Sequence, residues 1–231
     1  GWGAILAYDR AKTNAMLTQE YIDRFTAQNS YLPPFNESIA TGTTQGEIVY
    51  DYVVGMPLLS FENSTIKNSR ARLTFTVYGG VQLSYTKPVG ASAVEINKIA
   101  LIDALDSHTL EMDIDLTIVE GEVTDLGKVI LDLDKATNWV SSMGSTDTEH
   151  KKIGEFFQGL FKSLEDKFKK FELNTVQRSE GQFMNPSHFA IRTHPKPLSG
   201  GKKRGDIGIN VEESKQGEVL VFVAMEGEAN G

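Results

Sequence analysis

The 231-residue chain contains no cysteine. That excludes disulfides, thiolate nucleophiles and every cysteine-ligated metal site. Long apolar runs are missing as well: nothing approaches the roughly 18–20 residues that a membrane helix needs. The opening Gly1-Trp2-Gly3-Ala4-Ile5-Leu6-Ala7 lacks the basic segment of a secretory signal. The chain therefore reads as not transmembrane, with the compartment, cytoplasmic or secreted, left open. Positive charge is in deficit: 23 Lys and Arg stand against 31 Asp and Glu, a net charge of −8. Nucleic acid is not the expected partner, because its binding rests on clustered cations that neutralise phosphates. Catalytic signatures are absent too, with no G-x-S-x-G, no H-E-x-x-H and no phosphate-binding loop. His108 and His150 have no motif around them. His188 and His194 share a face of one extended segment with Arg192, but roughly 20 Å of strand separates them, too far for one metal. The expectation is a protein without catalytic residues, metal or cofactor.

What the chain does have is one strong helical pattern, from Thr146 to Phe171. Ile153, Phe156, Phe157, Leu160, Phe161, Leu164 and Phe168 fall within an arc of about 140° at helical periodicity, the width of a core-facing stripe. Thr146 and Glu149 have capping-box spacing, and Lys167, Lys169 and Lys170 suit the far end, where the dipole favours cations. The pattern predicts a long helix over 147–170. A first helix, capped by Asp9, is predicted over 9–28, with Ala11, Asn14, Ala15, Thr18, Tyr21, Ile22 and Phe25 on one face. Asn14 is the polar member of that face and should clasp a neighbouring strand.

Between residues 45 and 134 the period switches to two. Leu73, Phe75 and Val77 alternate with polar residues, as do Leu110, Met112, Ile114, Leu116 and Ile118. Long strands with one dry face suit an antiparallel sheet. Gly79-Gly80 marks a sharp turn or bulge. The row Glu111, Asp113, Asp115 reads as a solvated strand face, since it lacks the turn glycine of a calcium loop; Asp132 and Asp134 fail the same test. Terminal strands are predicted within 171–226, at 189–193, 206–211 and 218–225. Between the first two of these lies the only dense basic run, Gly200-Gly201-Lys202-Lys203-Arg204-Gly205, either a solvated hairpin loop or a contact for an anionic headgroup or partner. The fold class is α+β, helices on an antiparallel sheet, in one domain over 1–231. The long helix must pack on the sheet, either as plain core or with part of its stripe lining an apolar groove.

Scattered residues carry a family likeness. Gly1-Trp2, Asn14-Ala15-Met16-Leu17, Pro34-Phe35, Gly79-Gly80, Asn185-Pro186 and Gly217-Glu218-Val219-Leu220-Val221-Phe222 together resemble the P-forty-seven and OrfX proteins encoded beside clostridial neurotoxin genes. Gly3 stands where that family would place an acidic residue. The resemblance implies a bacterial, toxin-associated protein of the tubular lipid-binding (TULIP) superfamily, with long helices against a strongly curved antiparallel sheet. It further implies a lipid or other apolar ligand in a hydrophobic groove lined by Phe156, Phe157, Leu160, Phe161 and Leu164. Lys202, Lys203 and Arg204 are then the expected contacts to an anionic headgroup or membrane surface. The alternative expectation is an accessory protein of a multi-protein complex, with the groove filled by its own side chains.

Overall fold

The computed structural model describes residues 2–26, 32–105, 108–119, 125–177 and 186–225. Strand β1 (Ala4–Asp9) runs straight into helix α1 (Arg10–Thr26), where the Asp9 carboxylate accepts from the Lys12 amide and satisfies a first-turn donor. There follow β2 (Phe35–Ala40), β3 (Gln45–Ser60), β4 (Arg70–Thr86), β5 (Glu95–Asp103), β6 (Thr109–Asp115), β7 (Thr117–Val119), β8 (Asp125–Asp132) and β9 (Thr137–Ser141). Helix α2 (Asp147–Lys162), the single turn α3 (Asp166–Lys169), β10 (Lys170–Gln177), β11 (Pro186–Pro195), the short α4 (Val211–Ser214) and β12 (Gly217–Met225) complete the order.

The fold is α+β with a strongly curved antiparallel sheet, close to a half-barrel. The main sheet runs β2-β3-β4-β6-β9, with β5 extending it along the distal half of β4. Two three-stranded sheets, β10-β8-β7 and β1-β12-β11, continue the structure. Curvature has a local source. The β3–β4 register shifts between Tyr50 and Val53 and again between Val54 and Pro57, and each extra residue bends and twists the ladder. Gly79-Gly80 is one such irregularity rather than a turn, and β4 runs straight through it. One apolar cluster stretches from Tyr8 to Val223.

Several expectations need correction. The helix predicted over 147–170 is really α2 and α3, with a break between them. The Ser163 hydroxyl bonds the Leu160 carbonyl and the chain turns extended at Glu165, because a serine side chain offers the backbone an alternative to the next helical bond. Lys169 lies beyond the break. Its buried ammonium reaches Asp134 Oδ2 at 3.0 Å and the Lys162 carbonyl at 3.3 Å, so it still serves the end of α2, but from outside. On α1 the buried residues are Thr13 and Leu17, whereas Ala11, Ala15 and Ile22 of the predicted face are exposed; residues 27 and 28 of that prediction lie outside the described residues. Residues 206–211 form no strand: turns lead to α4, capped by Asn210 through the Glu213 amide. Asp113 is not solvated. It is buried beneath the segment after β3, bonded by Asn63 and Asn138 and paired with Arg72, while Glu111 and Asp115 remain partly open.

The Asn14 expectation is met. Its Nδ2 donates to the Leu59 carbonyl at 3.0 Å and its Oδ1 accepts from the Leu59 amide at 2.7 Å, sealing the free edge of β3 to α1.

Candidate functional site

Helix α2 lies across the inner face of the main sheet, as its stripe requires. Thr146 caps it through the Glu149 amide, and the Glu149 carboxylate reaches back to the Ser145 amide. Gly154 lets the helix approach β9 so closely that a Cβ would strike the Trp139 carbonyl. That approach drives two rings deep into the sheet. Phe157 stacks on Tyr52 (5.3 Å between centroids, 22°) and meets Phe35 edge-on, while Phe161 sits among Phe35, Phe75 and Trp139 at 5.4–6.1 Å. Phe157 and Phe161 are fully buried; Phe156, Leu160 and Leu164 are half-buried at the margin. Of the five stripe residues expected to line a groove, Phe157 and Phe161 thus meet the protein's own rings, and Phe156, Leu160 and Leu164 lie at the margin. Burial pushes the Tyr52 phenol well above its ordinary value, the nearby Ser141 hydroxyl offsetting part of the rise. The Tyr52 Oη lies outside good hydrogen-bond geometry with any described residue.

Beside the start of α2 an open cleft of about 390 Å³ is lined by Thr109, Glu111, Val140, Ser141, Ser142, Asp147, His150 and Lys151. His150 lines this cleft, and His108 reaches its rim through Ser142. His108 Nδ1 contacts Ser142 Oγ at 3.3 Å, and His150 places Nε2 on the Gly144 carbonyl and Nδ1 toward Asp147. Both nitrogens of His150 are thus turned to its own helix start, so it is not aimed as a base at Ser142. Among the described residues no group of His, Asp and Glu is placed to hold a metal ion, and no helix is long and apolar enough to cross a membrane.

The basic segment is anchored elsewhere. Arg204 donates to the carbonyls of Ser214, Lys196 and Gln216, pinning the long β11–β12 connection to α4. Lys202 reaches the Gly208 carbonyl at 3.4 Å, and Lys203 presents its backbone amide to Asp206. Lys202 and Lys203 are exposed. The described hydrogen bonds of this segment run to its own loop, to α4 and to the ends of β11 and β12, and none runs to α2.

A surface that sequence reading missed lies on the other side of the sheet. Over residues 71–77 of β4 the odd positions Ala71, Leu73, Phe75 and Val77 are buried under α2's side of the sheet. Past Gly79-Gly80 the parity reverses. Val49 and the buried Glu47 now face inward, opposite Gln82 and Ser84, whose side chains both donate to Glu47. A one-residue slip moves every following side chain to the opposite face. Outward point three cross-strand rows: Tyr50–Val81–Leu101, Ile48–Leu83–Ile99 and Gly46–Tyr85–Ile96. They contain no charged residue. Leu101 is 76% exposed, Ile99 69%, Tyr50 48% and Ile96 44%. The inversion is built by Asp51 at φ 49° and Gly80 at φ 133°, where a Cβ would come within 3.0 Å of the Asp51 carbonyl and Tyr52 Cα. The alternation of Ile48/Tyr50, Val81/Leu83/Tyr85 and Ile99/Leu101 is visible in the sequence, but which face it serves depends on the bulge.

No family model matches the chain, and no curated protein does.

Proposed function

We propose that this protein is a non-catalytic interaction module that docks on another protein surface through the outer apolar face of β3, β4 and β5. The observation that carries this reading is the apolar face of β3, β4 and β5 turned to solvent, supported by the packing of Phe157 and Phe161 against Phe35, Tyr52, Phe75 and Trp139. Interior apolar surface is spent on the protein's own fold; exterior apolar surface is what remains to bind with. The resemblance to the P-forty-seven and OrfX proteins agrees with a component of a multi-protein assembly.

A second reading, lipid carriage at the margin of α2, draws on the half-buried Phe156, Leu160 and Leu164, with the exposed Lys202 and Lys203 as contacts for an anionic headgroup. Native mass spectrometry of freshly purified protein separates the two. The bare polypeptide mass, with no uptake of a fluorescent fatty probe, is the expected result. An organic-extractable adduct, or probe uptake abolished by Leu160→Asp, would overturn the docking reading in favour of lipid.

A further inference from the structure

Taking the outer face as the docking surface, we infer that its occupant is a second copy of this chain, packed sheet on sheet about a two-fold axis. Size is the first argument. The four most open side chains alone, Tyr50, Ile96, Ile99 and Leu101, leave on the order of 500 Å² of apolar surface in water, at the upper end of what monomers expose as one patch. Adding the half-buried Ile48, Val81, Leu83 and Tyr85 brings it to roughly 650 Å², at the lower end of one partner's share in a standard interface.

Composition is the second. Transient interfaces between different proteins are about as polar as the rest of the surface, whereas homodimer interfaces resemble a divided core. Three rows without a charge belong to the latter kind. About a two-fold axis these rows meet their own image, so no like charges are set against one another, as an isologous contact requires. Two such faces pack at about 10 Å with strands within ~30° of each other.

Edge-to-edge pairing is the competing geometry, and β5 is built against it. Asn97 is an extra residue in its ladder with β4, bonded to Thr86 Oγ1, and Lys98 projects from the same strand. Bulges and lysines are the devices that keep open edges from pairing. A membrane is a poor occupant, since the hydrogen-bonding groups along the outer edge of β5, which no described strand covers, would meet hydrocarbon unsatisfied.

Sedimentation of the intact chain from about 1 to 100 µM, the range where moderate dimers dissociate, tests the inference. A monomer–dimer equilibrium that persists in 1 M salt (~3 Å screening length) is expected. Leu101→Lys and Ile99→Glu, at exposed positions, should each weaken it at least ~30-fold, as loss of a central anchor does, without changing the circular dichroism spectrum. Lys98→Glu, on the opposite face of β5, should leave it intact. A monomer throughout overturns the inference, as does a dimer indifferent to both face substitutions or one dissolved by Lys98→Glu. A monomer that floats with phosphatidylcholine vesicles overturns it in favour of a membrane. A monomer that neither floats nor carries a lipid adduct sinks the second copy alone and leaves the docking reading standing, whereas a lipid adduct strikes at the docking reading itself.

Discussion

Two glycines of α2 should respond to the same substitution with opposite sign. Alanine is favoured over glycine inside a helix by about 1 kcal/mol, and both Gly154 and Gly159 lie in α2. A Cβ at Gly159 meets nothing within 4 Å. Gly159→Ala should therefore raise stability by nearly the full propensity difference, which in a chain of this size is a rise of roughly 2–4 °C in Tm. At Gly154 the added carbon lands on the Trp139 carbonyl and 2.6 Å from Val140 Cα, about 1 Å inside ordinary carbon contact. Both obstacles are backbone, so no rotamer change relieves them. Either β9 or α2 must shift, and with α2 go Phe157 and Phe161. Overpacking costs about 1–3 kcal/mol, and a clash with rigid backbone on this scale belongs at the top of that range. After the propensity gain is subtracted, Gly154→Ala should lose roughly 2 kcal/mol and 4–8 °C. Differential scanning calorimetry of the two variants is the assay. A Gly154→Ala protein that melts as high as Gly159→Ala would refute the close approach of α2 to β9, and with it the closure of the aromatic interface.

Other substitutions probe neighbouring claims. Phe161→Asp buries an unpaired carboxylate among Phe35, Phe75 and Trp139 and should cost more than about 4 kcal/mol, whereas the exposed Glu155→Ala should stay within about 0.5 kcal/mol; equal urea midpoints would show the stripe to be wrongly placed. Asn14→Ala strips the Leu59 amide of its bond and should cost about 1–3 kcal/mol, read as faster amide exchange at Leu59; unchanged protection there would contradict the clasp. Tyr52→Phe removes a buried hydroxyl without good partners and should be neutral or stabilising by up to about 1 kcal/mol at neutral pH. Because the folded Tyr52 phenol is raised above its ordinary value of 10.0, the stability it contributes is fully present below that value and is lost as pH climbs through the folded one. The wild type should thus lose stability above pH 10 more steeply than Tyr52→Phe; parallel alkaline melting curves would mean that the phenol is hydrated.

Local rules made much of this architecture readable from the residues. Capping at Asp9 and Thr146, the helical stripe through Ile153, Phe157 and Phe161, and the alternation of Leu73, Phe75 and Val77 each depend on neighbours a few positions away, and each stands in the fold. The C-terminal end of α2 did not follow, because Phe168 and Lys169 keep the helical spacing while Ser163 and Glu165 break the backbone. The 206–211 segment misled for a related reason: its alternation is real, but Arg204 ties that connection to carbonyls of Lys196, Ser214 and Gln216, and no described strand pairs with it. Asp113 read as wet because its cover, Asn63 and Arg72, comes from distant positions.

Composition and periodicity carry the helix-on-antiparallel-sheet class, the lack of thiols and the core-facing stripe of α2. That this stripe meets the protein's own rings, and that a second apolar face looks outward, came from packing between distant segments. Parity explains the difference. A strand's pattern says which residues share a face, but a single bulge at Asp51 and Gly80 sets whether that face turns toward α2 or toward water.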